Sequence, residues 1–353
     1  MRRFSLIVLI TFVAFTLRVH LLGNQELRGD EGFSWNYIQD SPAGILDRII
    51  REGDPQPPIH YWLLWGWAKL TGDSEFALRA WSALTSLILV PLIYQVGRRQ
   101  WRDEVGFLAA GLTAIHPQQI WLAQDVRNMY QLALVALLIG TLMLPRLAKK
   151  TFEVFETSKV LRAWFIYVLC GALAMYSHYY ALFVLIAHGG YVIGKTLSAH
   201  SKLRQRQTQS PPARTQPPKG GFVHFLDAVS TAGLRRWVAA GLAIAALVAP
   251  WAFIIIPVYS RGQLADPGSI NFLAYSASVF GDLAAGPAFP ETTKTLIALV
   301  MSALCLIPVI NSLYPRTGTL SEAEVPTHPH SHTASRTLSL LLASILLPFL
   351  GIY

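Results

Sequence analysis

Three short groups of residues carry the types and spacings that could do chemistry. The first is Leu27-Arg28-Gly29-Asp30-Glu31, where two adjacent carboxylates follow closely on an apolar run. Carboxylates so close to the outer membrane surface suit work on a lipid-linked substrate. The competing reading is a pair of solvated loop charges. The second group is Gln124-Asp125-Val126-Arg127-Asn128-Met129-Tyr130. Read as helix, it puts Asp125 and Met129 on one face and Arg127 and Tyr130 on another, so that a cation and a phenol are presented together. An Asp125–Arg127 salt bridge of purely structural purpose is the alternative. The third group is Ser177-His178-Tyr179-Tyr180. A lone histidine beside aromatics is more often a hydrogen-bonded boundary residue than a catalyst, and His178 is carried as a substrate contact against that background. Arg79, Arg261, Asp266, Asp282 and Lys294 add further charge, and Arg79 stands out at the start of an apolar run.

The elements that position these groups are membrane helices. The 353 residues are 53% hydrophobic and only 14% charged, with a mean hydropathy of +0.40, whereas soluble domains carry about 25% charged residues. Apolar runs long enough to cross roughly 30 Å of hydrocarbon recur along the chain, and continuous runs imply helices and not a barrel. Spans are expected near Phe4–Leu22, Phe76–Val96, Val105–Trp121, Met129–Leu147, Ala163–Tyr180, Leu182–Leu197, Trp237–Tyr259, Leu296–Leu313 and Leu338–Tyr353. The fold class is therefore all-α, a polytopic transmembrane bundle of about 9 spans forming a single module over 1–353. The first run lacks a small-residue cleavage site and reads as an uncleaved anchor.

Most of the 29 Lys and Arg residues fall on one side of this arrangement, with dense clusters at Arg98, Arg99 and Arg102, at Arg146, Lys149 and Lys150, and from Lys195 to Arg236. The positive-inside rule makes that side, and the N-terminus, cytoplasmic. All three chemical groups then lie at the extracytoplasmic face of a multi-pass cell-membrane protein. The net charge of +9 is matched by anionic lipid headgroups and calls for no nucleic acid.

The loop from 24 to 75 is rich in Trp and in charge and is expected to hold juxtamembrane helices. Within it, Pro57 and Pro58 open a run over 59–70 too short to span, with Tyr61, Trp62, Trp65, Trp67 and Lys69 suited to the headgroup level. The segments 198–221 and 316–336 are low in complexity and read as flexible cytoplasmic loops. Alternate histidines at 328, 330 and 332 in the second offer no preformed metal geometry. No metal site is expected, and a divalent cation has no support. Cys170 and Cys305 sit in apolar runs and read as packing residues. The last run stops at Tyr353 with no flanking charge, as expected for a chain whose C-terminal part is missing.

Taken in order, Gly29-Asp30-Glu31, Pro57-Pro58 with Tyr61, Gly72-Asp73-Ser74-Glu75 leading to Leu78-Arg79 and Ser82, Pro117 followed by Gln124 to Tyr130, and Ser177-His178-Tyr179 resemble the landmarks of the GT-C class of membrane glycosyltransferases. Within that class the resemblance is to the dolichyl-phosphate-mannose-protein mannosyltransferase-like group of glycosyltransferase family 39, which includes the aminoarabinose transferases. It covers about residues 1–200, and only hydropathy supports it afterwards. The resemblance implies that Asp30 is the catalytic base, with Glu31 beside it, and that Asp125 and Arg127 lie beside the donor phosphate. Tyr61, Arg79, Tyr130, His178 and Tyr179 are the accompanying substrate-binding candidates. Asp125 stands where the family commonly has Glu, a change that keeps the carboxylate, and the family usually extends well beyond 353 residues.

The expected function is transfer of a sugar from a polyprenyl-phosphate donor to an acceptor hydroxyl outside the cytoplasm, with inversion at the anomeric carbon. The acceptor is a protein, a glycolipid or a cell-wall polymer. A leaving phosphate is a weak base, so the site needs cations more than a general acid, with Arg127 first and Arg79 or Lys294 as helpers. A polytopic transporter or lipid flippase also uses charges near water-filled cavities and is the alternative from another class. An inactive truncated relative is a third reading.

Overall fold

The structure is a computed structural model and describes residues 2–54, 56–147, 154–194 and 221–260. These are helical, without strands among the described residues. In chain order the helices are α1 (Arg2–Val19), α2 (Gly29–Tyr37), α3 (Pro42–Glu52), α4 (Ile59–Thr71), α5 (Glu75–Gln100), α6 (Asp103–Ile115), α7 (Pro117–Ala123), α8 (Met129–Leu147), α9 (Val154–Ser177), α10 (Ala181–Gly194) and α11 (Gly221–Ser260).

Four described helices contain stretches long and apolar enough to cross a membrane: Glu75–Gln100, Met129–Leu147, Ser158–Ser177 and Leu234–Pro257. They coincide with four of the expected spans. The expected span over 105–121 is instead broken. His116 adopts an extended backbone with φ −65° and ψ 123°, and Pro117 begins the separate helix α7. The residue before a proline is driven out of the helical region by the ring Cδ, so α6 is left with 13 residues and α7 with 7. In α1 the 18 residues carry three charges, Arg2, Arg3 and Arg18, and α10 is short. The expected spans over 296–313 and 338–353, the loop 316–336 with its histidines, Cys305, and Arg261, Asp266, Asp282 and Lys294 all lie outside the described residues, as does the loop 198–221 up to Gly221.

The long helix α5 is the hub, packing against α1, α4, α6, α7 and α8, while α8 and α9 make the most extensive pair. One core gathers Leu89, Leu134, Leu137, Leu138, Ala174 and Ala181 from α5, α8, α9 and α10, with Cys170 packed at its edge. Large apolar side chains such as Phe12, Leu108, Leu169 and Phe253 are exposed on the outside of the bundle, the surface that hydrocarbon would cover. At the far end of α5 the backbones of α5 and α6 nearly touch. A Cβ on Gly97 would fall 2.8 Å from the Cα of Gly106, and one on Gly106 would fall 2.7 Å from the carbonyl oxygen of Tyr94.

Three short helices, α2 to α4, lie between α1 and α5 and are fixed by local signals. Ser41 caps α3 by accepting from the Gly44 N–H at 3.2 Å, with Pro42 in its first turn. Gly53 ends α3 at φ 71°, a conformation costly for any residue with a Cβ. Ile45 and Ile49, one turn apart, are fully buried, so this amphipathic helix is pinned to the bundle along one stripe. They meet Tyr37, Tyr61, Trp251 and Ile255 in an aromatic-rich cluster. Ser74 then caps α5 through the Ala77 N–H at 3.3 Å.

Candidate active site

The first turn of α2 and the loop between α7 and α8 meet at the end of the bundle where α5 begins. Residues 124–128 are not helical, so the expectation that Asp125 and Met129 share a helix face is corrected. α8 starts only at Met129, and Arg127 instead bends back on Asp125. The loop is held by its own side chains. The Asp125 carboxylate accepts from the Arg127 backbone N–H at 2.8 Å, from its Nε at 3.3 Å and from its Nη2 at 3.1 Å. Asp and Asn favour such turns because the side chain replaces a helical hydrogen bond.

The other residues of this loop reach α1, α2 and α5. Gln124 donates to the carbonyl of His20 at 2.9 Å and to that of Arg18 at 3.3 Å, closing the C-terminus of α1. The Val126 N–H donates to Glu31 Oε1 at 3.1 Å. Arg127 Nη1 donates to Asp30 Oδ2 at 2.6 Å. Asn128 Nδ2 donates to the Thr85 hydroxyl at 3.2 Å on α5. Asp30, Asp125 and Arg127, 97 residues apart at the extremes, are thus brought into one cluster.

Within it the two adjacent carboxylates are unlike. Asp30 has 63% of its side chain exposed. Glu31 is fully buried and receives five donors: Arg79 Nε at 2.9 Å and Nη2 at 2.8 Å, the Arg28 N–H at 2.9 Å and Nε at 3.4 Å, and the Val126 N–H. Consecutive helical residues point about 100° apart, which turns Glu31 inward as Asp30 turns out. Burial alone would raise the pKa of Glu31, but the bonds from Arg79 and the backbone amides outweigh it and hold the carboxyl at about 2. Arg79, 3% exposed, also donates to the carbonyls of Leu22, Gln25 and Glu26 and so fastens the link between α1 and α2. Arg127 is desolvated, which disfavours its charge, yet Asp125 and then Asp30 more than compensate and raise its pKa.

The other candidates line the neighbourhood. Tyr130, in the first turn of α8, lies within electrostatic reach of Arg127 and packs its ring, tilted, at 5.1 Å from that of His178, which also meets Tyr180 at 4.9 Å. His178 caps the α9–α10 turn by accepting from the Tyr180 N–H, and burial pushes its pKa down to about 4. Tyr61 stacks on Tyr37 at 4.6 Å and donates to Asp54 at 2.8 Å. The Tyr179 hydroxyl accepts from Trp251 at 2.8 Å, tying α11 to the same aromatic cluster. Two residues that sequence reasoning did not single out also sit here. Arg28 lies over the Trp121 ring at 5.2 Å. His60, which directly follows the Pro57-Pro58 landmark and Ile59, is buried against the site. Among the described residues, no group of three or more His, Cys, Asp or Glu is arranged to hold a metal ion.

An all-helical membrane bundle with a carboxylate and arginine cluster at one end fits a membrane glycosyltransferase of the GT-C type. Residues 55–209 match the family model of the dolichyl-phosphate-mannose-protein mannosyltransferases, in line with the resemblance read from the sequence. The matched stretch carries Arg79, Asp125 and Arg127, while Asp30 and Glu31 precede it. No curated protein and no solved structure matches the chain.

Proposed function

We propose that the chain transfers a sugar from a polyprenyl-phosphate donor to an acceptor hydroxyl on the extracytoplasmic side of the cell membrane, with inversion and with a cytoplasmic N-terminus. The observation that carries this reading is the contact of Arg127 Nη1 with the exposed carboxylate of Asp30 at 2.6 Å, made while buried Asp125 holds the rest of the guanidinium. Asp125 fixes the fork so that one edge faces outward. A donor phosphate engages that edge by charge-assisted hydrogen bonds, and in doing so takes Arg127 away from Asp30. The freed carboxylate then accepts the proton of the acceptor hydroxyl as that oxygen attacks the anomeric carbon. The bond from that carbon to the phosphate oxygen breaks, and Arg127 stabilises the charge that develops on the leaving phosphate.

In this reading Glu31 and Arg79 are positioning residues. Their mutual bonds set the phase of α2, and through Val126 they set the height of the Asp125–Arg127 loop. Tyr130, His178, Tyr61 and Tyr179 shape the wall against which substrate lies, and the lipid tail follows the aromatic face of α4. The test is transfer from labelled polyprenyl-phosphate mannose in membranes containing the full chain or its Asp30→Asn variant. Asp30→Asn should insert normally and lose on the order of 10² to 10⁴ in rate. Near-normal turnover by that variant would reject the assignment.

A further inference from the structure

Near Arg127 are buried polar groups with side-chain atoms that the cluster described above does not use. His60 on α4 is 1% exposed, and neither ring nitrogen has a partner among the described residues. Gln131, in the first turn of α8, is 2% exposed with both ends of its amide unpartnered. Asn128, 1% exposed, uses its Nδ2 on Thr85 but leaves Oδ1 unpartnered, and the Ser82 hydroxyl, one helical turn before Thr85, is likewise buried without a partner. These residues adjoin the Arg127 loop. Asn128 is its next residue, Gln131 follows one turn later, and the imidazole of His60 is close enough to feel the Arg127 charge. Each unmade bond of this kind costs about 1–3 kcal/mol, and buried polar groups are otherwise almost always satisfied. Four such residues near one loop make a set whose bonds a polar ligand or water would complete.

The chemistry of the set favours a ligand that, like water, both donates and accepts. Burial, followed by the repulsion of Arg127, lowers the pKa of His60 to about 3, so the ring is neutral and offers one donor and one acceptor. Gln131 offers the same pair, Asn128 an acceptor and Ser82 both. A phosphate needs donors alone and would face the carbonyl oxygens of Asn128 and Gln131. A sugar hydroxyl is donor and acceptor at once and matches every group. We propose that His60, Gln131 and Asn128 form the subsite that binds the hydroxyls of the donor sugar, while Arg127 takes the phosphate to which that sugar is joined. The inference rests on the sugar-transfer reading above and adds to it the residues that read the sugar.

The experiment compares two lipids on the full chain in nanodiscs: polyprenyl-phosphate mannose as substrate and bare polyprenyl phosphate as competitive inhibitor. His60→Phe and Gln131→Leu should each raise KM for the mannosyl donor roughly tenfold, the loss of about one good hydrogen bond, while the inhibition constant of the bare phosphate stays within about twofold. His60→Gln, which restores a donor and an acceptor, should recover most of the loss, and thermal midpoints in detergent identify any variant that merely misfolds. Equal weakening of both lipids, or an unchanged KM in well-folded variants, overturns the subsite. If the unmodified chain transfers no sugar at all, the reading it rests on fails first and the subsite falls with it.

Discussion

Glu31 and Arg79 form a two-pronged ion pair, Nε to Oε1 at 2.9 Å and Nη2 to Oε2 at 2.8 Å, with side chains 0% and 3% exposed. The pair is closed off from solvent, and both carboxylate oxygens also accept backbone N–H groups. Glu31→Ala should therefore leave an unpaired buried guanidinium, a loss of about 3–5 kcal/mol seen as a fall in thermal midpoint. Arg79→Lys should also destabilise the parent, because an ammonium cannot fork to the two Glu31 oxygens. A Glu31→Ala protein as stable as the parent would show that the pair does not hold α2 in place.

The same pair gives a pH dependence whose sign follows from linkage. The pKa of Glu31 is lowered on folding from 4.5 to about 2. Its contribution is therefore complete above pH 4.5 and is lost as pH falls towards 2, because the unfolded chain takes up the proton first. Thermal midpoints measured down this range should drop more steeply for the parent than for Glu31→Gln.

Arg127→Ala removes the cation and also releases Asp30 and Asp125. Donor KM should rise by at least tenfold, and kcat should fall as stabilisation of the leaving phosphate is lost. Arg127→Lys should recover little, since the guanidinium bonds Asp125 and Asp30 through different nitrogens. Unchanged donor kinetics in Arg127→Ala would remove this residue from the site.

Arg18 is a second buried guanidinium, with no carboxylate partner among the described residues. It donates to the carbonyls of Ala114 at 2.9 Å and Thr113 at 3.1 Å, where α6 is cut short before Pro117, and to Ser86 at 2.9 Å. The negative end of the α6 dipole takes the place of a counter-ion. Arg18→Leu should destabilise the bundle by several kcal/mol, because those carbonyls would be left unpaired in an apolar surrounding. A thermal midpoint within a degree or two of the parent would contradict this.

The approach of α5 to α6 makes a further prediction. Gly106→Val would drive its side chain into the backbone of α5 and should cost about 1–3 kcal/mol. Gly111→Ala, with nothing within 4 Å of the added Cβ, should be neutral. Equal stability of the two variants would place the helices further apart than they are here.

Much of this was legible in the sequence. Four of the apolar runs are helices of spanning length, and the Asp30, Asp125 and Arg127 motifs do converge. Helix phase was not legible. Asp30 and Glu31 look equivalent in a row of letters, and only the packing of α2 separates an exposed carboxylate from a buried one. The segment 124–130 read as helical because its spacing allowed it, but the Asp125 side chain competes with the backbone and bends the chain before α8 can start. The expected span over 105–121 hid its break because Pro117 lies within an otherwise apolar run. Arg18 and His60 drew no functional reading because their partners, or the lack of them, exist only in three dimensions.

The loop from Gln124 to Asn128 has a consequence for how this protein can diverge. Four of these five neighbours are anchored to distant points and the fifth, Asp125, holds Arg127, so they cannot drift one at a time. A change at Asp30 alters what Arg127 can hold, and a change at Thr85 alters Asn128. Substitutions here should be accepted as compensating pairs, so that double mutants behave better than the sum of their singles, and the imprint of that constraint in related chains would be correlated change between positions nearly a hundred residues apart.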